Sequence, residues 1–259
     1  MKKISLTLAA TLALGATNVY ADCLTLMNSI ASRTDLTRAL KDSVAASGGP
    51  SNGGLDFNMW ATIVSDDGTV CAVTKTGEDI NDQWLGSRVI SAQKANTANA
   101  FSLQGGLALS TANLWAATQP GGSLFGLQFS NPVDTQAAYN GNSSAYGQSD
   151  DPMVGSKIGG VNVFGGGLAL YDEGGNMVGA IGVSGDSSCA DHNIAWRTRD
   201  AIGLDYVPAG LSGVNADNII YDINTGTGKS ASGFGHPECF GEKAVNEQIM
   251  LDHPIGSNS

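Results

Sequence analysis

Basic side chains are scarce in this sequence of 259 residues. Lysine and arginine number 13 against 24 aspartates and glutamates, so the formal net charge is −11 at pH 7. A surface this acidic repels nucleic acid and anionic lipid headgroups. The composition therefore predicts no nucleic-acid partner and argues against a bulky anionic polymer as substrate. Small molecules and proteins remain as binding partners.

Long apolar runs are absent after the start of the chain. The sequence begins with two lysines, continues with an apolar run at residues 4–14, and has small residues at Val19 and Ala21. This order is typical of a cleaved secretory signal peptide, and the run is shorter than the roughly 20 residues that cross a bilayer. We predict a signal peptide at residues 1–21, no membrane insertion, and a periplasmic or secreted product.

Cysteine is also rare, but its number is even. Four cysteines follow the predicted signal peptide, and in an oxidising compartment an even number first indicates disulfides. Four cysteines allow three pairings. A Cys189–Cys239 disulfide would fasten an irregular C-terminal tail to a helix, and Cys23 would then pair with Cys71.

Only three histidines are present, and two of them lie close to a cysteine. His192 follows Cys189 by three positions, and His236 precedes Cys239 by three positions. Cysteine and histidine are the usual ligands of zinc. A metal site formed by these four residues is therefore the alternative to the disulfide, and His192 and His236 are the candidate metal or haem ligands.

Three common motifs of enzymes are incomplete. The segment GTGKS ends like a phosphate-binding loop, but Ile223 stands where that motif requires glycine. The segment GVSGD lacks the last glycine of a serine-hydrolase elbow, because Asp186 occupies its position. The segment FGGGLALYD lacks the spacing of a dinucleotide-binding fingerprint. The sequence therefore argues against these three classes of enzyme.

Hydrophobic periodicity predicts helices that alternate with β-hairpins. It indicates an amphipathic helix at residues 34–46 and a second helix, rich in small residues, at residues 84–101. Runs of β-branched and aromatic residues around turn signals predict hairpins at residues 57–75 and 162–185. A last helix follows at residues 190–202. This order predicts an α+β domain with an antiparallel sheet and helices packed against it.

Three segments together resemble the GlcG/HbpS-like family, also called the haem-degrading domain family. They are SAQKANTANAF at residues 91–101, QPGGSLFGLQFSNP at residues 119–132, and FGGGLALYDEGGNMVGAIGVSGDSSCADHNIA at residues 164–195. The resemblance covers roughly residues 34–203. It implies a profilin-like α+β fold with a central antiparallel sheet and flanking helices. It also implies a homo-oligomer, and it makes haem or another small flat molecule the leading ligand.

The chain departs from this family in two places. Residues 133–162, rich in Ser, Asn, Gly and Asp, intervene where family members pass quickly to the next strand, and they indicate an inserted surface loop. Residues 204–259 extend the chain beyond the family domain, with one strand predicted at residues 218–223. We therefore expect a domain at residues 22–203 with a C-terminal extension packed on it, and both additions could cover or extend the ligand site.

Four side chains in the resembling segments are candidate ligand contacts. Helical spacing places Lys94 and Thr97 on one stripe, where they could meet a ligand carboxylate such as a haem propionate. Alternatively Lys94 extends to solvent and Thr97 packs. Phe125 and Phe129 could wall a flat apolar pocket, or they could belong to the core.

The glycine-rich start of the second hairpin is a further candidate. Phe164 followed by Gly165 and Gly166 would let the backbone come close to a flat ligand or to a neighbouring helix. Three functions then stay open. They are an exported haem-binding protein with or without haem degradation, a non-catalytic partner of a periplasmic oxidoreductase, and a small-molecule enzyme that uses Lys94.

Overall fold

The computed structural model describes residues 22–30 and 33–256, so the predicted signal peptide lies outside the described residues. The strands are β1 (Trp60–Ser65), β2 (Val70–Lys75), β3 (Leu107–Ala108), β4 (Gly167–Tyr171), β5 (Met177–Ser184) and β6 (Ala209–Gly210). The α-helices are α1 (Cys23–Ser29), α2 (Arg33–Ser43), α3 (Ser87–Ala100), α4 (Trp115–Thr118), α5 (Leu127–Ser130), α6 (Thr135–Ala138), α7 (Ser188–Ala201) and α8 (Glu242–Asp252). Four strands form one sheet in the order β2-β1-β5-β4, and β3 and β6 form a short parallel pair.

The sheet consists of the two predicted hairpins side by side. β1 pairs antiparallel with β2, and Gly68 in the turn between them has a φ of +82°. β4 pairs antiparallel with β5, and Gly175 in their turn has a φ of +71°. Both values lie in the left-handed region that glycine adopts without steric cost. The hairpins predicted at residues 57–75 and 162–185 are therefore present.

Helix α3 covers one face of the sheet at very short range. A Cβ atom at Gly182 of β5 would lie 1.9 Å from the carbonyl oxygen of Ser91, so only glycine allows this approach. On the helix side Ala92, Ala95 and Ala98 are fully buried against the sheet. The small residues of the predicted second helix thus serve close helix-to-sheet packing.

The other face of the sheet is covered by α1, α2 and α7, with α8 packed on α7. Leu36 and Leu40 of α2, Ile194 and Trp196 of α7, and Ile249 of α8 share one buried cluster with the sheet. Burying apolar side chains on both faces of a sheet is the main stabilising term of such a domain. The predicted α+β class, with a central antiparallel sheet and flanking helices, is confirmed.

The segment at residues 133–162 is more ordered than a surface loop. It contains α6, and Val70 of β2 exchanges backbone hydrogen bonds with it, accepting from Gly155 and donating to Ser156 at 2.9 Å each. Four of its hydrophobic side chains are buried: Ala138, Tyr146, Met153 and Ile158. The segment therefore contributes to the core.

The C-terminal segment lies along β4 and α7. The amide of Tyr171 donates to the carbonyl of Leu204 at 2.9 Å, and the Trp196 indole donates to the carbonyl of His253 at 2.9 Å. The strand predicted at residues 218–223 is wrong. The backbone groups of this stretch form hydrogen bonds with side chains and with single amides of other segments, not with a neighbouring strand. In this stretch only an isolated bridge between Ile223 and Ser230 has strand-like pairing.

Two disulfides connect distant parts of the chain. Cys23 of α1 is bonded to Cys71 of β2, and Cys189 of α7 is bonded to Cys239. The pairing expected from the sequence is therefore present. Among the described residues, no helix combines the length and the hydropathy needed to cross a bilayer.

Candidate functional site

A tight turn leads from β5 into α7 and fixes the first turn of that helix. The Ser187 hydroxyl accepts a hydrogen bond from the Ala190 amide at 3.2 Å, which is the usual cap of a helix N-terminus. The Oδ1 atom of Asp191 accepts from the amides of Gly185 and Asp186 at 3.1 and 2.8 Å. Asp191 is thereby held in one orientation, and its Oδ2 atom faces α3.

Lys94 of α3 forms a buried ion pair with Asp191. Its Nζ atom lies 2.6 Å from Oδ2 and donates to the carbonyl of Val183 at 3.0 Å. Burial lowers the pKa of Lys94 and raises that of Asp191 to about 6, and the attraction between them opposes both shifts. Nζ also lies 4.9 Å from the ring centroid of Phe164, within cation–π range. The carboxylate partner of Lys94 in this structure is therefore Asp191, and its ammonium group does not reach solvent.

The neighbouring candidate residues also contact the protein itself. The Thr97 hydroxyl accepts a backbone hydrogen bond at 2.9 Å from the segment before β4. A Cβ atom at Gly165 would lie 2.2 Å from the carbonyl oxygen of Ser188, and one at Gly166 would lie 2.4 Å from that of Val183. The glycines therefore let this segment approach a helix and a strand. The sequence left two roles for these glycines, an approach to a flat ligand or to a neighbouring helix. The approach of Gly165 to Ser188 of α7 matches the second role.

Phe125 and Phe129 do not join this group of residues. Their side chains are exposed by 59% and 83%, so they belong neither to the core nor to the wall of an enclosed pocket. The structure thus brings Lys94, Thr97 and the Phe164 segment together around the start of α7. It leaves the two phenylalanines on the surface.

His192 is buried and hydrogen-bonded to the C-terminal extension. Its Nε2 atom accepts from the Ile219 amide at 3.1 Å and lies 3.1 Å from Oδ1 of Asn218. Its Nδ1 atom has no hydrogen-bond partner among the described residues. Burial lowers the pKa of His192 to about 3, so the ring is neutral and Nε2 is already engaged.

The accepting nitrogen of His236 has weaker partners than that of His192, since the Gly165 amide donates to its Nε2 atom at 3.5 Å. Its Nδ1 atom lies 2.7 Å from the carbonyl oxygen of Pro237, and because a carbonyl only accepts, Nδ1 carries the proton. Nε2 is then the acceptor, 3.3 Å from the Ser188 hydroxyl, and burial lowers the pKa of the ring to about 4. A metal-bound histidine has this arrangement, with its second nitrogen donating to a backbone carbonyl. His236 also lines a cavity of about 200 Å³, together with Tyr221, Ile223, Thr225, Pro237 and Glu238.

Three of the four residues of the predicted Cys/His metal site come together. One donor atom from each of Cys189, His236 and Cys239 lies within 4.8 Å of the others. His192 does not belong to this group, because its Nε2 atom is hydrogen-bonded to the Ile219 amide. The two cysteines are bonded to each other, so their sulfur atoms are not metal ligands in this state.

Sequence reasoning missed the acidic partners of the buried cations. Asp191 pairs with Lys94, and Asp151 pairs with Arg88, whose guanidinium also stacks 3.6 Å from the ring centroid of Tyr146. Asp191 stands inside a segment that carries the family resemblance, which was an available signal. Asp151 lies at residues 133–162, outside the three resembling segments, and gave no such signal.

Two buried neutral histidines should make the fold sensitive to acid. His192 and His236 have pKa values of about 3 and 4 in the folded chain, against about 6.5 in an unfolded chain. Below pH 6.5 the unfolded chain therefore takes up protons that the folded chain excludes. We expect the free energy of unfolding to fall by about 1 kcal/mol per histidine at pH 5.5. Urea denaturation at pH 7.5 and 5.5 measures the loss.

The variant His192→Gln isolates one of these contributions. The glutamine amide oxygen can replace Nε2 as acceptor for the Ile219 amide, but glutamine does not titrate. The loss between pH 7.5 and 5.5 should then shrink by about 1 kcal/mol relative to the parent. An unchanged pH dependence would contradict the assignment, whatever the absolute stability of the variant.

Comparison with known proteins gives one family and several solved structures. A sequence model of the HbpS-like haem degrading protein family matches residues 51–199, which is more than half of the chain. No curated protein matches the sequence. Protein ORFY of Klebsiella pneumoniae is 21% identical with a TM-score of 0.46, over 74% of this chain and 97% of that chain. PduOC in its haem complex is 26% identical (TM-score 0.43; 64% and 88% covered), and HbpS is 14% identical (TM-score 0.42; 75% and 98% covered).

Proposed function

Since this chain belongs to the HbpS-like family of haem-degrading proteins, we propose that it is an exported protein that binds haem. The family match over residues 51–199 carries the proposal. That match includes the whole four-stranded sheet, α3 and most of α7. The match supports a haem-related function for this domain, and it ends before His236, which belongs to the C-terminal extension.

The chemistry of His236 fits an iron ligand. Haem iron is commonly held by a neutral histidine, and burial keeps His236 neutral. The Pro237 carbonyl fixes the proton on Nδ1 and leaves Nε2 as the donor atom. The Nε2 atom of His192 is instead occupied by the Ile219 amide. His236 is therefore the histidine that would hold haem iron, once its contacts with the Gly165 amide and the Ser188 hydroxyl are released from the buried ring. Bound haem would supply one-electron and oxygen chemistry.

The cavity beside His236 is too small to enclose a porphyrin. Its volume is about 200 Å³, whereas sites that enclose a drug-sized ligand measure about 300–1,000 Å³. Only an open mode of binding, with most of the macrocycle outside the cavity, matches this conformation. The Lys94 ion pair is closed to solvent as well, which argues against an enzyme that uses Lys94 on a free substrate.

Export is supported by the N-terminal sequence and by the cysteines. Residues 1–21 have the order of a secretory signal peptide, and all four cysteines are paired in disulfides, which persist in oxidising compartments. We expect the periplasmic or secreted fraction to contain a chain that begins at Asp22. N-terminal sequencing of that fraction tests the cleavage site.

A non-catalytic interaction protein is the second candidate function, because apolar side chains lie together on the surface. Phe57 and Trp84 are exposed by 39% and 54% and make an edge-to-face contact with ring centroids 5.2 Å apart. Leu55, two positions before Phe57, and Leu85, which follows Trp84, are each exposed by 46%. Exposed apolar patches mark interaction sites in proteins. Co-purification of a periplasmic oxidoreductase that is lost in Trp84→Ser would favour this function.

Haemin titration of the mature chain with intact disulfides tests the proposal. We expect a shifted Soret band that saturates near one haemin per chain, because a histidine nitrogen replaces solvent on the iron. His236→Ala should lose the shift, and His253→Ala is the matched control, since His253 contacts Asp200 and Arg197 at another part of the surface. A titration that matches free haemin in buffer would rule out haem binding.

Two further measurements test iron coordination by His236 and haem degradation separately. In His236→Gly, added imidazole should restore the Soret shift, because the adjacent cavity admits a small ring; circular dichroism checks the fold. Haem degradation would show as progressive loss of the band when ascorbate and oxygen are supplied. A band that persists under these conditions indicates binding without turnover.

A further inference from the structure

The Cys189–Cys239 disulfide lies against the ring of His236. The Sγ atom of Cys189 is 3.9 Å from Nδ1 of His236. The Sγ atom of Cys239 is 3.5 Å from the Ser188 hydroxyl, which is itself 3.3 Å from Nε2. Among the described residues, the Cys23–Cys71 disulfide has no comparable group of metal-ligating side chains around it.

We propose that reduction of the Cys189–Cys239 disulfide creates a binding site for Zn²⁺ or a similar borderline-soft divalent cation. Two thiolates and one imidazole are typical zinc ligands, and a site with three protein ligands leaves the fourth position to water or a small molecule. This inference is independent of haem binding, which concerns the oxidised chain.

The redox step needs a dithiol reductant. Cys189 is buried and Cys239 is partly exposed, so a thiolate of the reductant attacks Sγ of Cys239 and the Cys189 thiolate leaves. The second thiol of the reductant then attacks the mixed disulfide, forms the reductant's own disulfide, and releases Cys239. Two electrons and two protons convert the protein disulfide into two thiols. Zn²⁺ then displaces the thiol protons as it binds.

The three donors stay close when the S–S bond is broken, because other contacts hold the tail. The amide of His236 donates to the Ile220 carbonyl at 2.8 Å, and the Ala116 amide donates to the Gly235 carbonyl at 3.2 Å. The Ser187 hydroxyl donates to a carboxylate oxygen of Glu242 at 2.6 Å, beyond Cys239 in the chain. A site whose ligands are held in place loses less entropy when the metal binds.

Metal titration of the reduced chain tests the inference. The mature protein is reduced anaerobically with a phosphine, freed of reductant, and titrated with Zn²⁺ against a chromophoric chelator. We expect one equivalent of zinc per chain in the reduced protein and none in the oxidised protein. Co²⁺ in place of Zn²⁺ should give a thiolate-to-metal charge-transfer band. No binding after reduction would overturn the proposal.

Three variants locate the site. Cys189→Ser with Cys239→Ser should abolish zinc binding after reduction, whereas Cys23→Ser with Cys71→Ser should retain it. His236→Ala should weaken binding by more than about tenfold, since loss of even an outer-shell partner costs 10–100-fold. Equal binding by both double variants would also overturn the proposal.

If reduction unfolds the metal-free chain, a second measurement still tests the site. Zinc should then raise the melting temperature of the reduced parent, because a ligand that binds the folded state stabilises it. The Cys189→Ser, Cys239→Ser variant should show no such rise. An identical response of both proteins, or no response of the parent, would contradict the site. Since haemin is titrated with oxidised protein, failure of either experiment leaves the other unaffected.

Discussion

Replacing both Cys189 and Cys239 by serine is expected to lower the free energy of unfolding by about 4 kcal/mol. The disulfide joins residues 50 positions apart, and without it the unfolded chain regains the conformational entropy of that loop. For a domain of this size each kcal/mol shifts the melting temperature by about 2–4 °C, so the variant should melt roughly 10 °C lower. Differential scanning calorimetry of the mature protein measures the shift.

The matched control is the double serine variant of Cys23 and Cys71. That disulfide joins residues 48 positions apart, so the chain-entropy contribution is nearly the same and a similar loss of stability is expected. The two variants should differ under limited proteolysis. Only the Cys189, Cys239 variant removes the covalent attachment at residue 239 and leaves the tail there to its hydrogen bonds, so faster cleavage at residues 225–241 should appear there alone. Identical fragments from both variants would contradict the role of Cys189–Cys239 as a fastening of the extension.

Lys94→Met is expected to cost about 3–5 kcal/mol of unfolding free energy. The substitution preserves most of the side-chain volume but leaves the Asp191 carboxylate buried without its cation. The amides of Gly185 and Asp186 still donate to Asp191, which limits the loss but does not supply a positive charge. Urea denaturation of parent and variant at pH 8 gives the difference.

The loss in Lys94→Met should also depend on pH. Burial holds the pKa of Asp191 at about 6 although Lys94 attracts its charge, so without Lys94 the pKa rises further. A carboxyl with a higher pKa in the folded chain stabilises the fold at low pH, and this contribution is lost as pH rises through the folded pKa. The deficit should therefore be larger at pH 8 than at pH 5.

The double variant Lys94→Met, Asp191→Asn provides the control for that pair. An amide at residue 191 can still accept the two backbone hydrogen bonds and carries no charge, so part of the lost stability should return. Because asparagine does not ionise, the added deficit of Lys94→Met at pH 8 relative to pH 5 should be absent from the double variant. Two results would contradict this account of the ion pair. One is a double variant with a lower free energy of unfolding than Lys94→Met, and the other is a Lys94→Met deficit that is the same at pH 5 and pH 8.

Local patterns in the sequence were sufficient to predict the strands of the sheet and helix α3, which packs on it. The two hairpins follow from β-branched runs around the turns at Gly68 and Gly175, which the structure shows in left-handed conformations. Helix α3 follows from its spacing, and its small residues are compatible with the close packing on β5 that the structure shows. These features depend on neighbours in the chain, so periodicity and turn chemistry report them.

Contacts between distant segments could not be predicted in the same way. Helical spacing placed Lys94 and Thr97 on one stripe, but it did not indicate that Asp191, 97 positions later, neutralises the lysine. The segment at residues 218–223 looked like a strand, yet its backbone groups bind His192, His236 and other residues. Such pairing depends on tertiary arrangement, which overrides local propensity.

The inserted segment and the C-terminal extension each protect one border of the sheet. β2 and β4 are the outermost strands, and unpaired backbone groups on such strands invite edge-to-edge association with other chains. The outward amide of Val70 in β2 donates to the Ser156 carbonyl, and its carbonyl accepts from the Gly155 amide. The amide of Tyr171 in β4 donates to the Leu204 carbonyl. Residues 133–162 and 204–259 therefore satisfy outward backbone groups of Val70 and Tyr171 that would otherwise be open to pairing with another chain. They also mean that copies of the chain can assemble by extending the sheet only where these segments leave the strand borders uncovered.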